Sequence, residues 1–259
     1  MSYNFYDFQN AIQQRNDYVE NQLRDGSPVV GLSCPDGIVL LTLRTAQRKL
    51  YEVYDRIAYG AMGRQSDVET IRIAAIDTAH KEGYQRSEDD VCLSRLVGFG
   101  LSPAVKQVYN DQRAVPLTLR ALFAEVHDDA SEDVFCSLNF DGEYRFSKGS
   151  GIIAGVRSAE ELGKEQLAAT APATIDEAIR QGILAWSVAY NAMRHARKPG
   201  GEVDANGERL TPEAAYKLAI SSGMSVEVAL LLRTSSRSIR FEICDTARLD
   251  SAIASVLFN

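Results

Sequence analysis

The run from Asp25 to Gly63 sets the terms for everything else in the chain. Two apolar stretches, Val29-Val30-Gly31-Leu32 and Ile38-Val39-Leu40-Leu41, meet at Pro35-Asp36-Gly37. An Asp-Gly pair between such stretches is the strongest short-range hairpin signal, because glycine tolerates the positive φ that tight turns require. A basic loop, Arg44 to Lys49, then leads to a second pair of short strands that turns at Asp55-Arg56. The chain is therefore committed early to antiparallel sheet, with Lys49 carried between two hairpins.

What flanks this block has to cover it. Residues 7–24 place Phe8, Ala11, Ile12, Arg15, Tyr18, Val19 and Leu23 at spacings of three and four, which predicts one amphipathic helix with Asp7 as its cap and Gly26 beyond its end. The six residues before it are expected to be a flexible lead. Two helices follow the hairpins, over 66–81 and 89–111, the second interrupted by Gly98-Phe99-Gly100 and Ser102-Pro103. Strands are expected at 117–126, 133–140, 143–146 and 151–156, with Asp141-Gly142 as a further tight turn. Helical periodicity returns over 158–168 and 174–195, the latter opened by Thr174 as N-cap with Asp176 and Glu177 in its first turn. A loop of turn formers over 196–212 reads as an exposed insertion. A helical piece at 212–221, strands at 224–232 and 239–244, and a last helix at 245–258 complete the chain. This order suits an α+β fold in which two antiparallel sheets stack and helices cover both outer faces, a four-layer αββα sandwich with an extra N-terminal helix. The expected division is 1–26 for the lead and helix and 27–259 for the sandwich.

Composition narrows the function classes. A chain of 259 residues can bury about three quarters of its unfolded surface. With 28 basic against 35 acidic residues the net charge is −7, and the absence of any polybasic tract excludes a phosphate-binding, nucleic-acid footprint. No apolar run reaches the ~20 residues of a membrane span, and Met1 to Asp17 has no secretory pattern. Cys34, Cys92, Cys136 and Cys244 are scattered, with no Cys-x-x-Cys pair, and read as thiols of a reducing, cytoplasmic compartment.

The motif Val30-Gly31-Leu32, then Asp36-Gly37-Ile38-Val39-Leu40-Leu41, then Lys49 ahead of Tyr54-Asp55-Arg56-Ile57-Ala58-Tyr59-Gly60-Ala61-Met62-Gly63, resembles the proteasome subunit family of N-terminal-nucleophile hydrolases. It is closest to the family's bacterial α-type members, and the likeness extends over nearly the entire chain. The family has the αββα architecture, and the helix ahead of the first strand is typical of α-type subunits. The resemblance implies a ring of seven copies stacked on rings of catalytic β-type subunits. Met1, Ser2, Tyr3, Asn4, Phe5 and Tyr6 would form the axial gate, and an ATP-dependent unfoldase would dock through its C-terminal tails. No cofactor, metal, nucleic acid or membrane is implied.

Catalytic members free an N-terminal Thr that attacks the substrate, its own amine acting as base. The alignment puts Ser27 at the nucleophile and Gly26 at the cleavage position. Leu43, however, replaces the Asp that supports the site lysine, and a leucine neither accepts a hydrogen bond nor balances an ammonium. Pro28, directly after Ser27, removes a backbone donor. No catalytic residue is therefore expected, although a self-compartmentalising peptidase using Ser27 and a ring-forming scaffold without a peptidase partner remain as alternatives. Lys49 keeps the position of the family's site lysine. The resemblance assigns it to a pocket between neighbouring subunits that pairs with the terminal carboxylate of an activator tail, with Gly26 and Gly63 letting a peptide backbone approach. The competing reading is a solvated member of the basic loop. Arg64 would add a second carboxylate partner or cap a strand. Arg113, Pro116 and Leu117 occupy the place of the narrow inlet to the chamber, with Leu117 where an aromatic is common.

The remaining signals are structural. His80, His127 and His195 are dispersed, without metal-ligand spacing. Ser147-Lys148-Gly149-Ser150-Gly151 lacks the order of a phosphate loop and reads as a turn before a strand. Asp128-Asp129 and Glu132-Asp133 read as a solvated hairpin tip, with a cation site as the sharper alternative. Trp186 reads as packing, in the core or between subunits.

Overall fold

The computed structural model describes residues 5–111, 113–169, 171–197, 210–234 and 239–257. In chain order the elements are α1 (Phe5–Leu23), β1 (Val29–Cys34), β2 (Gly37–Arg44), β3 (Leu50–Tyr54), β4 (Ile57–Gly63), α2 (Gln65–Gln85), α3 (Leu93–Arg95) and α4 (Ser102–Asn110). Strands β5 (Leu119–Glu125), β6 (Val134–Asn139), β7 (Tyr144–Lys148) and β8 (Ser150–Ile153) follow. Helices α5 (Arg157–Ala168), α6 (Ile175–Arg197) and α7 (Pro212–Ser221), strands β9 (Ser225–Leu232) and β10 (Phe241–Ile243), and α8 (Thr246–Leu257) end the chain.

The two early hairpins part company. β1 and β2 lie in a sheet of order β10-β9-β2-β1-β8, and β3 and β4 in a second of order β3-β4-β5-β6-β7. The chain crosses between sheets along residues 45–49 and returns at Gly149, whose φ of 76° makes the turn between β7 and β8. The sheets stack, α5 and α6 cover the first and α2 with α4 the second, which is the four-layer αββα sandwich expected. β2 is buried along its whole length except at Arg44, because it is central in its sheet and covered on both faces. That is why Ile38 to Leu41 reads as a continuous apolar run instead of an alternating one. Between the sheets, Gly31 of β1 faces Gly151 of β8 in register, and the ring of Phe135 from β6 fills the hollow they leave. A Cβ on Gly31 would lie 2.5 Å from that ring.

Several sequence expectations are corrected. Helix α1 begins at Phe5, so Asp7 lies within it and is not its cap. Phe5 and Tyr6 belong to that helix, and Met1 to Asn4 lie outside the described residues. The helix expected over 89–111 is built in pieces: a 3-10 turn at Glu88–Asp90, then α3, a π turn at Leu96–Leu101, and α4. The Ser102 amide bonds the carbonyl of Val97, five residues back, and this wider turn gives Pro103 room where a regular helix would clash. The turn at Gly149 and the Thr174 cap appear as expected, with Thr174 Oγ1 accepting from the Glu177 amide at 3.2 Å and Glu177 Oε2 from the Ala173 amide at 2.8 Å. The expected insertion at 196–212 falls mostly outside the described residues. The acidic tip is not solvated throughout. Asp133 is 0% exposed and pairs two-pronged with Arg233, at 2.8 and 2.9 Å, while Ser33 Oγ donates to it at 2.6 Å. Asp129 instead caps the short turn at Ala130–Glu132.

Candidate functional site

Helix α1 delivers the chain to one mouth of the sandwich. Val19 and Leu23 are fully buried, packed with Phe140 and Tyr109, and the Gly26 amide closes the helix on the Leu23 carbonyl at 2.9 Å. Gly26 is pressed against Met62 of β4, whose terminal methyl would lie 2.3 Å from any Cβ placed there. Ser27, immediately after, is 3% exposed. Its hydroxyl accepts a bond from the indole N–H of Trp186 at 3.0 Å and shares one with the Thr42 hydroxyl at 3.3 Å. Thr42 in turn donates to the Pro28 carbonyl at 2.7 Å. Trp186, 0% exposed, stacks on Tyr190 at 4.6 Å, so it is core and its one donor is aimed at Ser27. Leu43 is buried at 0% exposure in the hydrophobic core. The Ser27 hydroxyl is thus a buried packing joint between Trp186 and Thr42.

Lys49 precedes β3 at the same mouth. Its carbonyl accepts from the Ala61 amide at 3.3 Å, two residues before Gly63, which places it across β4 from the Gly26–Met62 contact. Gly63 has φ of 132°, and a Cβ there would collide with the Thr118 carbonyl at 2.1 Å. The structure therefore brings Lys49, Gly26 and Gly63 to one region, where the glycines are required by close backbone contacts within the chain itself. Burial lowers the Lys49 ammonium to a pKa of about 8, against an opposing pull from Glu227. Among the described residues it has no ion-pair partner. Arg64 starts α2, bonds the Thr118 carbonyl through its amide at 2.8 Å and reaches the Tyr18 hydroxyl with its guanidinium at 3.1 Å. Its side chain is turned toward α1 and is solvent-exposed.

Glu227 is the residue that sequence reasoning missed here. It lies on β9 opposite Thr42 and is 4% exposed. Its carboxylate accepts from the amides of Lys49 (3.1 Å) and Leu50 (3.4 Å) and faces Arg44 Nε at 3.3 Å. Burial raises its pKa. The only local signal was a charged residue inside an otherwise apolar strand.

In the loop before β5, Pro116 is buried and Leu117 packs against the core beneath α2, whereas Arg113 and Val115 face solvent. Within that loop, Arg113 is thus the one expected inlet residue whose side chain projects outward. Among the described residues no group of His, Cys, Asp or Glu is arranged to hold a metal ion, and no helix is long and apolar enough to cross a membrane. The four cysteines carry free thiols, and burial raises that of Cys136 to about 12.

No family model matches the sequence. Curated relatives do. The chain is 30% identical over 178 residues to a proteasome subunit alpha of Thermomonospora curvata, covering 66% of this chain and 74% of the relative. It is 26% identical over 249 residues to that of Nocardioides sp., covering 93% and 85%, and 26% identical over 214 residues to that of Jonesia denitrificans, covering 81% and 84%. With the two five-stranded sheets, their covering helices and the leading helix α1, this likeness means that the chain belongs to the proteasome α-subunit family.

Proposed function

We propose that this chain is a non-catalytic α-type subunit of a bacterial proteasome core. Seven copies form an outer ring on catalytic β-type rings in the cytoplasm, residues 1–26 supply the gate segment and its helix, and residues 27–259 form the ring's body. The ring admits substrate past Arg113, Pro116 and Leu117 and docks an ATP-dependent activator by its tails. The observation that supports the reading is a buried Ser27 together with a desolvated lysine that has no ion-pair partner among the described residues. Ser27 is buried under Trp186 and Leu43 supplies no acid, while the desolvated Lys49 ammonium lies beside Gly26 and Gly63 without an ion-pair partner among the described residues. A cation in that condition favours a carboxylate brought from outside, such as a peptide C-terminus.

Co-expression with a threonine-nucleophile β subunit, followed by purification and intact-mass spectrometry, tests the reading. It predicts a mixed particle in which this chain starts at Met1 or Ser2. A mature chain starting at Ser27, or rings that never take up a β subunit, would select the peptidase or the scaffold instead.

A further inference from the structure

The connection Arg44 to Lys49 crosses from one sheet to the other. Its two ends meet at one buried carboxylate. Glu227 of β9 grips Arg44 at the start of the connection and the amides of Lys49 and Leu50 at its end, with 178 residues of chain separating Glu227 from Lys49. The hydroxyls and amides nearby are spoken for: Thr42 is committed to Pro28 and Ser27, and Leu43 offers nothing polar. We propose that Glu227 is the positioning residue of the Lys49 site: from strand β9 its carboxylate takes the place of the acid that position 43 lacks, and it fixes the Lys49 ammonium where a peptide carboxylate meets it. The proposal rests on the reading of Lys49 as a tail-binding lysine. Two features argue for a role beyond plugging a gap. The carboxylate is the acidic group whose charge bears on Lys49, set against the cationic Arg44 and Arg48 of the same connection. And it holds the lysine's own backbone, so side-chain placement follows from it directly.

The test uses the full chain and the variants Glu227→Ala and Glu227→Gln. Pulse acetylation across pH, read by peptide mass spectrometry, gives the titration of the Lys49 amine, and hydrogen exchange gives the protection of the Lys49 and Leu50 amides. The wild type should titrate near 8 with both amides protected. Glu227→Ala should free the connection, so that Lys49 titrates near the ordinary lysine value of about 10.4 and both amides exchange as in an open loop. Glu227→Gln, which keeps the shape and one acceptor but no charge, should keep one amide protected and move the midpoint below that of the wild type. Titration and exchange unchanged in both variants would overturn the proposal. On assembled rings, a fluorescein-labelled alanine hexapeptide with a free C-terminus, compared with its amide, completes the test: Glu227→Ala should weaken the free acid about tenfold or more and leave the amide unaffected. If wild-type rings do not distinguish acid from amide, the tail-binding reading of Lys49 fails, whereas the titration and exchange still decide whether Glu227 positions it.

Discussion

Ser27 is a buried residue whose work in this structure is done by its hydroxyl. Its hydroxyl satisfies the only donor of a fully buried tryptophan, so Ser27→Ala should leave the Trp186 N–H unpaired at a cost of about 1–3 kcal/mol in chemical denaturation. Proteolysis by the assembled particle should be unchanged, and a loss of all peptidase activity would reinstate Ser27 as a nucleophile. At the far end of the sandwich, Arg233→Met removes the partner of the fully buried Asp133, which should destabilise the chain by about 3–5 kcal/mol, because an uncompensated buried charge costs more than the pair was worth. The lysine carries the pH dependence. Folding lowers the Lys49 pKa from the ordinary ~10.4 to about 8, so the native state binds fewer protons than the unfolded chain between those values. The destabilisation from burying the ammonium is therefore fully present below pH 8 and fades as pH rises toward about 10.4. Affinity for a carboxylate tail should fall across the same window, limited by about tenfold per pH unit, as read by fluorescence titration of the peptide.

Elements were more legible than the contacts between them. The Asp-Gly turns, the Thr174 cap and the continuous apolar run of β2 are each local signals of one physical cause, and each sits where its cause requires, whereas Gly26 after α1 is required by the close approach of Met62 and not by a left-handed backbone. The π turn was visible only as trouble, because the sequence shows Pro103 but not how a helix makes room for it. The contacts that define the site join residues far apart in the chain: Trp186 with Ser27, Glu227 with Lys49, Arg233 with Asp133. No periodicity encodes such pairings, and Asp133 was misread as solvated for that reason. Helix α1 illustrates a divided stripe. Its Val19 and Leu23 are buried, but Ala11 and Ile12 are only half-buried and Tyr18 is 40% exposed, an apolar remainder suited to a neighbouring subunit. Between the sheets, Gly31→Ala should force the Phe135 ring from its seat and cost about 1–3 kcal/mol, measurable as a lowered Tm.

For the molecule as a whole, the sandwich presents one mouth at which a buried hydroxyl, Ser27, and a desolvated cation, Lys49, are brought close to Gly26 and Gly63. The core beneath it is closed, with Ser27, Leu43 and Trp186 all buried. Lys49 stands apart, a desolvated ammonium held by its backbone to Glu227 and close to two glycines that the chain's own packing demands. In the proposed function this ammonium receives the tail of an activator. The direct measurement is activator-stimulated peptide hydrolysis by particles assembled with Lys49→Glu, with ring integrity checked by electron microscopy. Intact rings, undiminished basal hydrolysis and no stimulation are expected; intact rings stimulated to the wild-type level would rule that role out.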